Sequence, residues 1–130
     1  MKKSIVITGR QGSGKTTKAK EIANQFDKDE VVFLYYRSKI LDNPFIFSEC
    51  TEKTKLIVFE ELYDIKQVQG FFNFVSNPIT VNKRGENPFI ISPKFALVCQ
   101  SDITQEQFAG LGASFERRFD IINCQHNGTL

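Results

Sequence analysis

The chain has 130 residues, 41% of them hydrophobic, which suits one domain that buries roughly two-thirds of its unfolded surface around a single core. A net charge of +2 is too small to imply a nucleic-acid partner by itself. No apolar run approaches the ~18 residues of a membrane span, and Met1-Lys2-Lys3-Ser4 leads into a short strand without a signal-peptide core, so a cytoplasmic protein is expected. Cys50, Cys99 and Cys124 are odd in number and widely spaced, which suits neither a disulfide framework nor a zinc site and predicts reduced structural thiols.

In chain order, the first apolar run, Ser4–Thr8, leads directly into Gly9-Arg10-Gln11-Gly12-Ser13-Gly14-Lys15-Thr16-Thr17. This is a complete GxxxxGK[ST] phosphate-binding loop. Glycines at 9, 12 and 14 let the backbone turn its N–H groups inward as a cradle for α- and β-phosphates. Lys15 is then placed for the β- and γ-phosphates, and the Thr16 hydroxyl for Mg²⁺. The helix that starts here turns its positive end toward the anion. Ala19, Ile22, Ala23 and Phe26 continue at the spacing of one helical stripe, the context such a loop requires.

The second apolar run, Val31–Tyr36, ends at Arg37-Ser38-Lys39, a basic pair that reads as a peripheral phosphate contact or, better, as a solvated turn. The third, Leu56–Phe59, is followed by Glu60 and Glu61, the hydrophobic-strand-plus-acid pattern of a Walker B motif. Mg²⁺ takes hard oxygen ligands and keeps several waters, so one carboxylate, direct or through water, completes a site with Thr16; Glu60 is the candidate. Glu61 is the candidate for polarising a water for in-line attack on the γ-phosphate.

A helix is predicted from about Asp64 to Val75, with Ile65, Val68, Phe72 and Val75 on one stripe and Gly70 weakening but not ending it. Next, Ile79–Asn82, Lys83-Arg84-Gly85-Glu86-Asn87 and Pro88–Ile91 read as a β-hairpin with a basic tip or as an ordinary solvated loop. Asn77-Pro78 and Ser92-Pro93 punctuate it on either side. Pro88 would confine its strand to an edge.

The fourth run, Phe95–Cys99, ends in Gln100-Ser101-Asp102, where either Gln100 or Asp102 could orient the attacking water and Asp102 could equally cap the next helix. That helix is predicted to begin near Thr104, with Phe108 and Leu111 facing inward and Gly110 and Gly112 as stops. Ser114-Phe115-Glu116-Arg117-Arg118-Phe119 precedes the last run, Ile121–Cys124. An arginine here could act on the nucleotide of a neighbouring subunit, or Glu116 could pair with one in a solvated turn. His126 reads as solvated.

Apolar runs without polar alternation, separated by helical patterns, point to an α/β fold with a parallel sheet buried on both faces. Together with the motifs at Gly9–Thr16, Glu60-Glu61, Lys83-Arg84, Gln100-Ser101-Asp102 and Glu116–Phe119, this resembles the additional-strand P-loop ATPases, namely the AAA+ class and within it the superfamily 3 helicases of small viruses and mobile elements. The resemblance covers nearly the whole chain. It implies a three-layer P-loop NTPase fold with a five-stranded parallel sheet in order 5-1-4-3-2 and the hairpin inserted before strand 4. It implies ATP and Mg²⁺ as cofactors and hydrolysis at subunit interfaces of a homo-oligomer or with a partner polypeptide, an arginine of the pair Arg117-Arg118 acting in trans. Lys83 and Arg84 match the positions that grip single-stranded DNA in that family. Two departures stand out. The usual sensor asparagine is replaced by Gln100 or Asp102, and the sequence stops after the fifth strand without a helical lid, so a minimal ATPase module is expected. A small nucleoside or nucleotide kinase, or a non-catalytic nucleotide-binding subunit, would use the same loop.

Overall fold

The computed structural model describes residues 4–10, 12–36, 42–75, 78–99 and 105–124. Seven strands and five α-helices are placed among them: β1 (Ser4–Gly9), α1 (Lys15–Ala23), β2 (Val31–Tyr35), β3 (Leu56–Leu62), α2 (Ile65–Gln69), α3 (Phe72–Val75), β4 (Ile79–Val81), β5 (Phe89–Ile91), β6 (Lys94–Cys99), α4 (Gln105–Ala109), α5 (Gly112–Arg118) and β7 (Phe119–Cys124). Five strands form one sheet in the order β2-β3-β6-β1-β7, every neighbouring pair parallel. The α/β class and the parallel sheet agree with the apolar runs. β6 is interposed between β1 and β3, so the phosphate-loop strand and the strand bearing the paired acids stand two strand spacings, ~10 Å, apart.

Alternation along the central strands divides their side chains between two cores. Ile5, Ile7, Leu56, Val58, Ala96 and Val98 face α1, which buries Ala19, Ile22 and Ala23 against them. Phe26, beyond the helix end, completes that stripe. Val6, Ile57, Phe59, Phe95 and Leu97 face the opposite side, where Phe47, Phe71 and Phe115 close the larger core. Phe59 and Phe71 meet at 4.6 Å between ring centroids, in tilted geometry. Such ring pairs add to area burial through their edge-to-face electrostatics.

Three expectations need correction. The helix predicted over 64–75 is two, because Gly70 closes α2 as its C-cap and its N–H bonds back to the Lys66 carbonyl. Phe71, fully buried, occupies the break. Gly112, by contrast, is not a stop: with φ +80 it lets the chain turn after α4 and opens α5, which includes Arg117 and Arg118 in its last turn rather than in a loop. Lastly, β3 does not end at Phe59 but runs through Leu62.

β4 and β5 pair antiparallel in the register Ile79↔Ile91, Thr80↔Ile90 and Val81↔Phe89. Ile79, Val81 and Ile91 are buried in the larger core, which is what anchors this ribbon. Pro88 lies one residue outside β5, so its missing N–H costs the ladder nothing.

Candidate functional site

β1 delivers the chain to the phosphate loop at Gly9, and the strand pairing explains why that residue has no side chain. Gly9 has φ +148, and a Cβ built on it would lie 2.4 Å from the Cys124 carbonyl oxygen of β7 and 2.6 Å from Ser13 Oγ. Gly9 and Cys124 are register partners. The loop closes with a turn in which Ser13 N–H donates to the Arg10 carbonyl at 3.1 Å, and α1 then starts with Lys18 N–H donating to the Gly14 carbonyl at 2.9 Å. Gly14 is the N-cap, in left-handed conformation at φ 90, and no side chain caps the helix. The first-turn N–H groups, which a helix cannot satisfy itself, are thus left for another acceptor.

Lys15 is buried, with its Nζ donating to the carbonyls of Gly9 at 2.6 Å and Arg10 at 3.0 Å. The ammonium is folded back along its own loop. Ser13 Oγ is buried with no hydrogen-bond partner among the described residues. An orphaned hydroxyl, an uncapped helix start and a desolvated cation converge on one small region; this donor set fits a phosphate chain. Gly12, Thr16 and Thr17 are exposed beside it, with Arg10 at the rim, whereas Gln11 lies outside the described residues.

The acids at the end of β3 owe their placement to a bulge. β3 pairs with β6 at Phe59↔Leu97 and again at Leu62↔Cys99, so three steps on β3 answer two on β6. The extra residue reverses the alternation, and Leu62 enters the same core as Phe59. Without it, Glu61 would take that inward position. Glu60 keeps its strand partner Tyr35 and accepts the Tyr36 N–H on its carbonyl at 2.9 Å; it continues the row of Leu56 and Val58 on the α1 side. Glu61 sits at φ 67, the one non-glycine residue with positive φ among those described. Both residues are half-buried. A bulge at a strand end commonly re-aims a side chain, and a carboxylate held in the left-handed region is a local strain of about 1–2 kcal/mol.

The remaining predicted residues divide in two. Gln100 and Asp102 follow directly on β6 but lie outside the described residues, as do Arg37, Lys39, Thr104 and His126. Arg117 and Arg118 sit at the other end of the sheet: β7 starts at Phe119, opposite Ser4, five residues down β1 from Gly9. At ~3.3 Å per residue that is about 16 Å. The structure therefore does not bring these arginines to the phosphate loop of their own chain.

The basic hairpin tip lies at that far end too. Lys83 Nζ is 5.8 Å from the Phe89 ring centroid and the Arg84 guanidinium 5.6 Å from that of Phe45. Both cations rest on aromatic faces. Lys83 also lines a groove of about 890 Å³ with Asp29, Glu52, Lys53 and Glu86. Sequence reading gave no role to the segment 42–50 that supports this tip. Asn82 Nδ2 donates to the Pro44 carbonyl at 3.2 Å, and Phe47 and Cys50 plug the core beneath.

Burial raises the thiol pKa of Cys50 to about 11 and that of Cys99 to about 12, the Lys15 cation opposing the second shift. A raised thiol pKa removes the nucleophilic thiolate at neutral pH. At pH 8 an alkylating reagent is expected to modify Cys124, which is half-buried, well before the other two, with all three modified in denaturant. Intact-mass measurement over time checks this. Early labelling of Cys99 in the folded protein would contradict the burial.

No family model matches the sequence, and no curated protein matches it. Solved structures do. The C-terminal region of NrS-1 in an apo form superposes with a TM-score of 0.61 at 14% identity, over 95% of this chain and 29% of that one. JCV helicase bound to a small molecule gives 0.62 at 12% identity, over 98% and 37%. NtrX from Brucella abortus with ADP gives 0.51 at 13% identity, over 95% and 32%. The chain thus spans about a third of the length of the solved proteins it resembles. At these identities the likeness shows the fold alone, an α/β fold on a five-stranded parallel sheet. No helix among the described residues is long and apolar enough to cross a membrane.

Proposed function

We propose that this chain binds ATP with Mg²⁺ and hydrolyses it, as a minimal ATPase core of the AAA+ and superfamily 3 type that works on single-stranded nucleic acid or on a partner protein. One observation carries the reading. The buried Lys15 ammonium and orphaned Ser13 Oγ lie at the same end of the sheet as the bulged Glu60-Glu61 pair, with one strand between. Binding alone would not need the second acid. Two resemblances support it at the level of fold, one to a helicase and one to a protein solved with ADP.

In this reading the Gly9–Thr17 loop, Arg10, Gln11, Gly12 and Ser13 included, wraps the phosphates, and Lys15 leaves its two carbonyls for the β- and γ-phosphate oxygens. Thr16 and Glu60 would hold Mg²⁺, which when bound would neutralise charge on the phosphates. Glu61 accepts the proton of the attacking water, and Gln100 or Asp102 orients that water. Since Arg117 and Arg118 lie about 16 Å down the sheet, an arginine from this pair would reach a nucleotide only on a neighbouring subunit.

The test is phosphate release from ATP, with and without Mg²⁺ and single-stranded DNA, alongside mass in solution with ATP bound. Mg²⁺-dependent release is expected, faster with DNA. No release under any condition would overturn hydrolysis, and stoichiometric transfer to a nucleoside would make the chain a kinase. For the hairpin, Lys83→Ala combined with Arg84→Ala is expected to weaken DNA binding about tenfold and to reduce the salt slope by roughly 1.4, the value for two phosphate contacts on a single strand. Unchanged affinity and slope would remove the hairpin from the DNA site.

A further inference from the structure

β7 carries one polar residue on a row that is otherwise apolar. Phe119 and Ile121 pack into the larger core and Ile122 and Cys124 against the α1 core, so Asn123 belongs to the row of Phe119 and Ile121, on the face away from α1. That row climbs out of the core: Phe119 is buried, Ile121 half-buried and Asn123 exposed, at the end of the sheet where the phosphate loop begins. Asparagine is a poor strand former. Its register partner is Thr8, the residue before Gly9, one strand spacing of ~4.8 Å away, and its carboxamide makes no hydrogen bond among the described residues.

The sheet order sets the direction in which a nucleotide would lie. β7 and β6 flank β1 on opposite sides, and the Glu60-Glu61 pair of β3 stands beyond β6. A triphosphate held by the loop with its γ end toward those acids sends its nucleoside the other way, over β7. We infer that Asn123 binds the base there and selects adenine, an inference that rests on the reading of Gly9–Thr17 as a triphosphate site. A carboxamide sets one acceptor beside two donors. Adenine answers it in bidentate fashion, N6–H donating to Asn123 Oδ1 and N7 accepting from Nδ2. Guanine presents two acceptors on that edge, O6 and N7, so one of the two bonds is lost and its O6 faces the amide oxygen. Position 123 thus supplies what the loop cannot, because the phosphates are common to every nucleoside triphosphate.

Equilibrium binding to the whole chain with Mg²⁺ present tests this, with ATP, 7-deaza-ATP, GTP and inorganic tripolyphosphate as the ligands. The wild type is expected to bind ATP about three- to tenfold more tightly than 7-deaza-ATP, which lacks only the N7 acceptor, the loss that goes with one hydrogen bond. GTP should bind no better than the deaza analogue. Asn123→Ala should hold ATP and 7-deaza-ATP equally, and tripolyphosphate as tightly as the wild type does. The analogue is measured on the wild-type chain, so the result stands even where the variant fails to fold. Wild-type affinity indifferent to N7, GTP bound as tightly as ATP, or an N7 preference that survives Asn123→Ala would each overturn the base contact and leave the phosphate site standing. Binding of neither ATP nor tripolyphosphate would overturn the phosphate site, and this inference with it.

Discussion

Glu61→Gln is expected to slow phosphate release by about 10²–10⁴-fold while leaving ATP binding within a factor of a few, the loss typical of a removed general base. The geometry motivates a sharper companion. Glu61 is the residue that the β3 bulge holds at φ 67, a conformation glycine adopts without cost. Glu61→Gly should therefore leave folding stability unchanged or up to about 1 kcal/mol higher, since relief of left-handed strain offsets the greater entropy of an unfolded glycine. It should lose hydrolysis as fully as Glu61→Gln. A stable but inactive variant would mean that the acid is retained there for chemistry and not for the fold. Glu60→Gln separates the two acids, because it should raise the Mg²⁺ requirement for hydrolysis and leave stability as it was. If Glu61→Gln hydrolyses ATP at the wild-type rate, Glu61 is not the base. Equal Mg²⁺ dependence in Glu60→Gln would remove that carboxylate from the metal site.

What was legible in the sequence follows from how many residues share each signal. The three central sheet strands carry unbroken apolar stretches, Ile5–Ile7, Leu56–Phe59 and Phe95–Cys99, because both faces of the sheet are buried there, and that signal survives any local irregularity. The phosphate loop is legible for a different reason: glycine is required wherever backbone approaches backbone, as at Gly9 against Cys124. The β3 bulge has no such signature. Phe59-Glu60-Glu61-Leu62 reads as a strand giving way to a polar turn, and only the pairing with β6 shows that Leu62 returns to the core. Helix ends were misread at Gly70 and Gly112, where a glycine is equally compatible with continuing, stopping or starting a helix. In the structure Gly70 caps α2 and Gly112 opens α5, with Phe71 and Phe115 buried just beyond them. The segment 42–50 carries no periodicity, so its anchor Phe47 was not legible as a core residue, whereas Cys50 was, as a structural thiol.

Gly9→Ala should be the most damaging single-methyl change in the phosphate loop. The added carbon would lie 2.4 Å from a backbone oxygen of β7 and 2.6 Å from Ser13 Oγ, at a φ of +148 that alanine tolerates poorly. The hydroxyl can rotate away, but the Cys124 carbonyl belongs to a strand paired with β1 over six register positions, from Ser4↔Phe119 to Gly9↔Cys124. Two responses are open to the molecule. Either the loop keeps its shape and β7, an edge strand, is pushed off at its C-terminal end, or β7 holds and the loop rotates out of its cradle. Both cost stability, by about 3 kcal/mol together with the backbone strain, which corresponds to a fall in Tm of roughly 10 °C for a domain of this size. They differ in what else is lost. Displacement of β7 would speed hydrogen exchange over 119–124 and spare ATP binding in part, whereas rotation of the loop would leave that exchange slow and abolish binding. Gly12→Ala is the control, because nothing lies within 4 Å of its added carbon, so only the strain of φ +80, about 1 kcal/mol, remains. If the two variants melt within a degree of each other, the close approach of β7 to the loop is not what requires glycine at position 9.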